Sequence, residues 1–72
     1  MNAYTVEYRE DRFGEVKQIS FLADNKQNAW CRAVFEEIPN LTGAQPYSAW
    51  VASVTYNNGN YREFNTFEGK PY

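Results

Sequence analysis

The chain has 72 residues and a formal net charge of −2, and aromatic residues make up 18% of it. A chain of this length forms one small domain, whose core rarely supplies more than about 3–5 kcal/mol of net stability. The mildly acidic balance argues against a protein that wraps duplex DNA, because such proteins need a basic excess. The same charge is too small for a protein that imitates DNA through dense carboxylates.

The residue types also exclude several kinds of chemistry. The chain has no histidine and one cysteine, Cys31, so an intrachain disulfide, a Cys/His zinc site and a histidine-assisted nucleophile cannot form. The adjacent carboxylates of Glu36-Glu37 and Glu10-Asp11 do not face one another and are interpreted as solvated charge. The sequence therefore predicts a protein that is not an enzyme and holds no cofactor or metal.

The first ten residues and the single thiol, Cys31, indicate the cellular compartment of the protein. The first ten residues, MNAYTVEYRE, lack the basic start and apolar stretch of a signal peptide, and no apolar run reaches membrane-spanning length. A single free cysteine is typical of a reducing compartment. These features predict a soluble, cytoplasmic protein without a membrane partner.

Two strands are predicted before the helix. Residues 3–9 alternate between apolar and polar side chains, which is typical of a half-buried strand. A charged segment ending in Gly14 predicts a hairpin loop, and residues 15–22 form the second strand. The inward-facing residues of this hairpin are expected to be Tyr4, Val6, Tyr8, Ile19 and Phe21.

One helix follows. Asp24-Asn25 offers side chains that accept hydrogen bonds from the first free amides, so the helix is predicted over residues 26–38. Pro39 is expected to end it, because its ring clashes with the preceding turn and it lacks an amide donor. The stripe expected to face the sheet comprises Trp30, Ala33, Val34 and Ile38.

The rest of the chain is predicted to be β. A loop over residues 40–46 leads to strands at 47–56 and 61–67, joined through NNGN, and residues 68–72 form a tail. The order β-β-α-β-β predicts an α+β fold with a four-stranded antiparallel sheet and the helix packed on one face. The other face is left open to water or to a partner. On the third strand, one face is expected to comprise Trp50, Ala52, Val54 and Tyr56.

The register of the last hairpin has two alternatives. If Asn58-Gly59 forms a two-residue turn, Tyr56 pairs with Tyr61 across the hairpin. The side chains of Tyr61 and Phe67 then face the helix. If the loop has three residues with a bulge at Gly59, Tyr61 and Phe67 lie outside. We favour the bulged register because it turns the ring of Phe64 towards the helix, rather than the carboxylate of Glu63. Its helix-facing side comprises Trp50, Val54 and Phe64.

Aromatic and arginine side chains near the open face predict a binding surface, because Tyr, Trp and Arg concentrate interface energy. The candidate partner-binding residues are Tyr61, Arg62, Phe67, Tyr72 and Arg9. The alternative is a small domain that stacks single-stranded nucleic acid on these side chains, which the acidic net charge and the lack of a basic cluster disfavour. A homodimer through the open face or an edge strand is a third possibility.

The segments YTVEYRE, ISFLADNKQNAW and AWVASVTYNNGNYREFNT, in that order, resemble the compact β-β-α-β-β proteins encoded by phages and other mobile elements. These include anti-CRISPR and anti-restriction proteins. The resemblance implies an accessory or inhibitory protein that docks without catalysis on a host or phage protein, in such families a host defence protein that is bound and blocked. The modest charge of this chain departs from the strongly acidic DNA mimics in that group, which favours direct surface docking.

Overall fold

The structure, a computed structural model, describes residues 1–56 and 59–70, apart from the side chain of Asn65. It confirms the predicted α+β fold and the order β-β-α-β-β. The elements are β1 (Asn2–Arg9), β2 (Lys17–Ala23), a helix made of α1 (Lys26–Arg32), a π-helical turn (Ala33–Glu37) and α2 (Ile38–Thr42), then β3 (Ser48–Tyr56) and β4 (Tyr61–Phe67).

The four strands form one antiparallel sheet in the order β2-β1-β3-β4. The two central strands, β1 and β3, carry the most deeply buried side chains, and β2 and β4 are the edges. The helix packs on one side of this sheet, where the branched aliphatic residues with no exposed surface are Val6, Val51, Val54 and Ile38. The side opposite the helix is called the open face below.

The first hairpin has the predicted faces. Tyr4, Val6 and Tyr8 are buried in the core, and Ile19 and Phe21 pack against it while staying partly exposed. Burial raises the pKa of the Tyr4 phenol above its ordinary value, because removing it from water disfavours the phenolate. The prediction of inward-facing residues on β1 and β2 is confirmed.

The helix begins as predicted. The Asn25 side chain accepts a hydrogen bond from the Asn28 amide at 2.8 Å, which satisfies one of the free donors of the first turn. Trp30 is 8% exposed, and its indole Nε1 donates to the Ala49 carbonyl of β3 at 2.8 Å. The predicted stripe is confirmed, since its other members are also buried.

The helix does not end at Pro39, so that prediction is wrong. The Ile38 amide donates to the Ala33 carbonyl five residues back, which is the bonding of a π-helix. Pro39 then falls in the first turn of α2, where the missing amide costs little. The helix continues to Thr42 and ends at Gly43, whose φ of 87° suits a left-handed cap that donates to the Pro39 carbonyl at 2.8 Å.

A β-bulge interrupts the pairing of β1 with β3. Val6 of β1 lies opposite Val51 of β3. The preceding residue of β1, Thr5, lies opposite Ser53, so Ala52 is an extra residue in β3. The alternation of side chains along β3 therefore changes phase at this point.

The bulge changes which β3 residues face the helix. Trp50 lies opposite Glu7, whose neighbours in β1 are buried on the helix side, so Trp50 belongs to the open face. Val54, beyond the bulge, is fully buried on the helix side. The predicted common face of Trp50, Ala52, Val54 and Tyr56 is therefore wrong.

The favoured register of the last hairpin is also wrong. Tyr56 lies opposite Tyr61, with ring centroids 5.9 Å apart and the rings stacked. Phe64 pairs with Ser53, points to the open face and is 73% exposed. A second irregularity in β4 then turns Phe67 towards the helix, where it packs against the core. The loop residues Asn57 and Asn58, on which the turn type depends, lie outside the described residues.

Candidate functional site: the open face of the sheet

The open face is a polar surface, and its described residues include two aromatic side chains. Among the described residues, the strand alternation and the registers place there one acidic residue, two arginines and several hydroxyl and amide side chains. These residues are Ala3, Thr5, Glu7 and Arg9 on β1, Gln18, Ser20 and Leu22 on β2, Trp50, Ala52, Ser53 and Thr55 on β3, and Arg62, Phe64 and Thr66 on β4.

A shallow hollow of about 410 Å³ lies across this face. It runs from Gln18 on one edge strand over the central strands to Arg62 and Phe64 on the other. The twist of the sheet makes the surface concave, and small side chains such as Thr5 and Ser53 form its floor. The hollow can receive a protruding side chain or loop.

Arg62 and Phe64 form one flat pair at the β4 end of the hollow. The Arg62 guanidinium carbon lies 4.9 Å from the centre of the Phe64 ring. The guanidinium is further held by Ser53, whose hydroxyl oxygen accepts from Nη2 at 3.2 Å. Because Ser53 is only 1% exposed, it is a fixed anchor for the arginine. The pair thus presents an apolar ring and a positive charge in a set orientation.

The centre of the face is organised by further side-chain hydrogen bonds. The Trp50 indole Nε1 donates to Glu7 Oε1 at 3.1 Å, which fixes both the ring and the carboxylate. The hydroxyls of Thr5 and Ser20 lie 2.9 Å apart across β1 and β2. These hydrogen bonds hold the side chains in one orientation before binding, which lowers the conformational entropy lost when a partner binds.

The five predicted binding residues do not form one cluster. Arg9 and Arg62 lie on the open face. Tyr61 is 55% exposed but stacks on Tyr56 at the helix side of the sheet, and Phe67 packs against the core. Tyr72 lies outside the described residues.

The sequence predicts the wrong side of the sheet for two residues of the open face, Trp50 and Phe64. Both errors have the same origin, because strict alternation does not hold through β3 and β4. Ala52 in β3 and the shifted pairing in β4 each add a residue to the register. No residue type in these strands signals a bulge, so the sequence contains no clear sign that would have placed them.

The described part of the tail lies on the helix rather than on the open face. The Gln27 side-chain amide makes two hydrogen bonds with the backbone of Lys70, one of them from the Lys70 amide at 3.2 Å. Gly69 packs directly on Trp30, and a β-carbon at this position would lie 2.7 Å from Trp30 Cγ. The absence of a side chain at residue 69 therefore allows the tail to reach Gln27.

We expect Gly69→Ala to displace the tail from the helix. The added methyl group cannot fit against the indole, so the bonds between Gln27 and Lys70 are lost and the free energy of unfolding falls by about 1 kcal/mol. Hydrogen exchange of the Lys70 amide and thermal denaturation measure the two effects. Glu68→Ala, at an exposed neighbour, is the control and should change neither. Unaltered Lys70 protection in Gly69→Ala would contradict this packing.

In the ranges 1–56 and 59–70, no group of three or more histidine, cysteine, aspartate or glutamate side chains is placed to hold a metal ion. Within the same ranges, each helix is too short or too polar to cross a membrane.

Fold and surface together define a small α+β domain with a helix on one side of the sheet and, on the other, a partly aromatic face that no described element covers. Comparison with known proteins finds no matching family model, no matching curated protein and no matching solved structure.

Proposed function

We propose that this protein is a non-catalytic protein-binding module that docks through the open face. In keeping with the resemblance, we place it among accessory or inhibitory proteins of phages or mobile elements that act on a host protein. The observation that carries the proposal is the Arg62–Phe64 pair, whose ring is 73% exposed on a sheet face that the helix does not cover.

The charges of the face indicate what kind of protein surface fits it. Among the described residues of the face, Arg9 and Arg62 outnumber the one acidic residue, Glu7, so this surface is slightly positive on a chain with a net charge of −2. Glu7 is already engaged by the indole of Trp50. We therefore propose a partner with an apolar pocket for Phe64 and carboxylates beside it for Arg62.

The aromatic and arginine side chains could also stack on nucleic-acid bases, but the charge pattern supports a protein instead. Nucleic-acid binding draws most of its affinity from several Lys or Arg contacts to phosphates. The described strands bring only Arg9 and Arg62 to the open face, at its opposite ends. Nucleic-acid binding is therefore kept as an outcome of the test below.

The test compares the wild-type protein with an Arg62→Ala, Phe64→Ala double variant. Each is immobilised and exposed to a bacterial lysate, and the retained proteins are quantified by mass spectrometry. We expect one protein to be retained at least about 10-fold more by the wild type, since paired hot-spot residues cost more than about 1–2 kcal/mol when truncated. Calorimetric titration with that protein after purification should give the same ratio of affinities.

Phe13→Ala is the matched control. Phe13 is 90% exposed in the loop between β1 and β2, so its loss removes a similar apolar area away from the open face. The control should retain the partner as the wild type does. Two results would contradict the proposal: identical retention by the double variant, or salt-sensitive binding of single-stranded DNA or RNA that the double variant loses.

A further inference from the structure

The two edges of the sheet differ in how well they are protected. β4 carries the charged residues Arg62 and Glu63 and an irregularity in its pairing. β2 pairs with β1 without interruption from Lys17 to Ala23, and it contains neither proline nor bulge. Natural sheets blunt their edges with charges, prolines and bulges, so a regular, weakly charged edge marks a place where another strand can pair.

The backbone of β2 is oriented for such pairing. The Arg32 guanidinium donates to the Leu22 carbonyl at 2.6 Å, so this carbonyl is directed away from β1. Alternate residues of a strand direct their backbone groups to the same side, and Ser20 and Gln18 therefore do so as well. The carbonyl of Leu22 has a second lone pair, but the Arg32 guanidinium also lies 5.2 Å from the centre of the Phe21 ring, so it has to move aside when a partner strand pairs at this end of the edge.

An apolar groove runs under this edge. Ile19 and Phe21 face the helix layer but remain partly exposed, and Leu41 of α2 is 67% exposed beside them. Together with Glu37 they line a groove of about 210 Å³ between β2 and α2. Pairing at the edge would bury these side chains, which the isolated domain leaves half in water.

We propose that β2 pairs antiparallel with β2 of a second copy, about a two-fold axis at Ser20, to give a continuous eight-stranded sheet. In this register Ile19 lies opposite the partner's Phe21, an aromatic and β-branched pair that stabilises adjacent strands. The contact is isologous, so the pair occurs twice and Leu41 of each copy covers it.

The charges are compatible with this arrangement. Lys17 is the one charged residue of β2 and stands at its start, where its ammonium is paired with Glu10 of the same chain. Antiparallel pairing about Ser20 places Lys17 opposite the partner's Ala23, which is uncharged. The two Lys17–Glu10 pairs are kept at opposite ends of the interface, so like charges do not meet. A second copy meets residues 18–23 with the same uncharged stretch, so no ion in the interface is left without a partner.

The size of the contact indicates a weak association. A seven-residue strand and two layers about 10 Å apart give a contact on the order of 500 Å² per copy. Stable interfaces bury about 800 Å² per partner, so a weak dimer is expected, with a Kd of roughly 10–100 μM. The inference goes beyond the proposed function and does not depend on it, because the open face stays uncovered and is doubled in width.

Sedimentation equilibrium of the whole chain, over roughly 10 μM to 1 mM, tests the dimer against this expected affinity. Leu41→Glu places two carboxylates in the groove and should weaken the dimer at least about 10-fold. Tyr47→Glu is the matched control, because Tyr47 is 60% exposed on the segment before β3 and lies outside the groove. It should leave the dimer unchanged. A chain that remains monomeric at the highest concentration, or a dimer that Leu41→Glu does not weaken, overturns the proposal.

Disulfide trapping identifies the edge that pairs. Ser20→Cys sets two thiols across the two-fold axis, within the Cα separation of about 5–6 Å that a disulfide needs, so oxidation should yield a covalent dimer. Thr66→Cys, exposed on the opposite edge strand, should yield none, and the native Cys31 is only 2% exposed. A dimer in solution that Ser20→Cys does not trap, or that Thr66→Cys traps instead, means that another surface pairs and also overturns the proposal.

Discussion

Trp30→Ala is expected to leave the chain largely unfolded at 25 °C. The indole is 8% exposed, contacts Gly69 of the tail and meets Phe35 edge-on at 6.3 Å. Its removal costs about 3–5 kcal/mol through lost burial and the cavity left behind. A domain of this size has about 3–5 kcal/mol of net stability, so the loss is comparable to the whole. Far-UV circular dichroism and urea titration would show the change.

Two further variants separate the contributions of Trp30. Trp30→Phe keeps an aromatic ring but removes the Nε1 donor, so the Ala49 carbonyl loses its partner and the free energy of unfolding should fall by about 1–3 kcal/mol. Phe35→Ala, at a residue that is 41% exposed, should cost clearly less than Trp30→Ala. A Trp30→Ala protein with the urea midpoint of the wild type would show that the helix does not pack as described.

Ile38→Ala is the second change with a large expected effect. Ile38 has no exposed surface and follows directly on the π-helical turn, where its amide donates to the Ala33 carbonyl. Truncating a fully buried isoleucine costs about 2–5 kcal/mol, depending on how far the surroundings collapse. We expect a marginally folded protein whose thermal midpoint falls by about 8 °C or more, because each kcal/mol shifts the midpoint by about 4–8 °C in a domain of this size.

Leu41→Ala is the control for Ile38→Ala, because both residues are aliphatic and lie on α2. Leu41 is 67% exposed, so its truncation should change the free energy of unfolding of the monomer by no more than about 0.5 kcal/mol. Both measurements belong at low micromolar protein, below the expected Kd of the dimer. Equal losses for the two variants would contradict the burial of Ile38 under the continued helix.

The open face and the β2 edge involve different surfaces, so they can be tested apart. The Arg62→Ala, Phe64→Ala double variant changes the open face. It leaves the groove lined by Ile19, Phe21 and Leu41 unaltered. If both proposals hold, a dimer presents two open faces side by side on one sheet. A partner with two copies of the target surface would then be bound with avidity that neither face gives alone.

Much of the fold could be predicted because local pattern and global packing agree. The alternation of Tyr4, Val6 and Tyr8 determines the buried face of β1, since each second side chain of a strand points the same way. The helical stripe from Trp30 to Ile38 likewise determines which side packs on the sheet. With Asn25 as a cap, these features were sufficient for the β-β-α-β-β order and the layer arrangement.

The candidate site was less predictable, because it depends on departures from those same periods. Arg62 is among the predicted binding residues and lies on the open face, but its neighbour Phe64 was assigned to the core and Trp50 to the helix side. One extra residue at Ala52 inverts every later side chain of β3, and a second irregularity does the same in β4.

The sequence by itself determined the order of the strands and the helix, the helical stripe that faces the sheet, and the exclusion of sites that need histidine. These follow from the residue types and from their period along the chain. Only the tertiary structure decided the phase of β3 and β4, the π-helical turn before Pro39 and the position of the tail on Trp30. The reason is physical. A bulge or a widened turn has a small local cost, and packing of Val51, Val54 and Ile38 into one core compensates for it. That compensation involves residues distant in sequence, so no short segment of the chain reveals it.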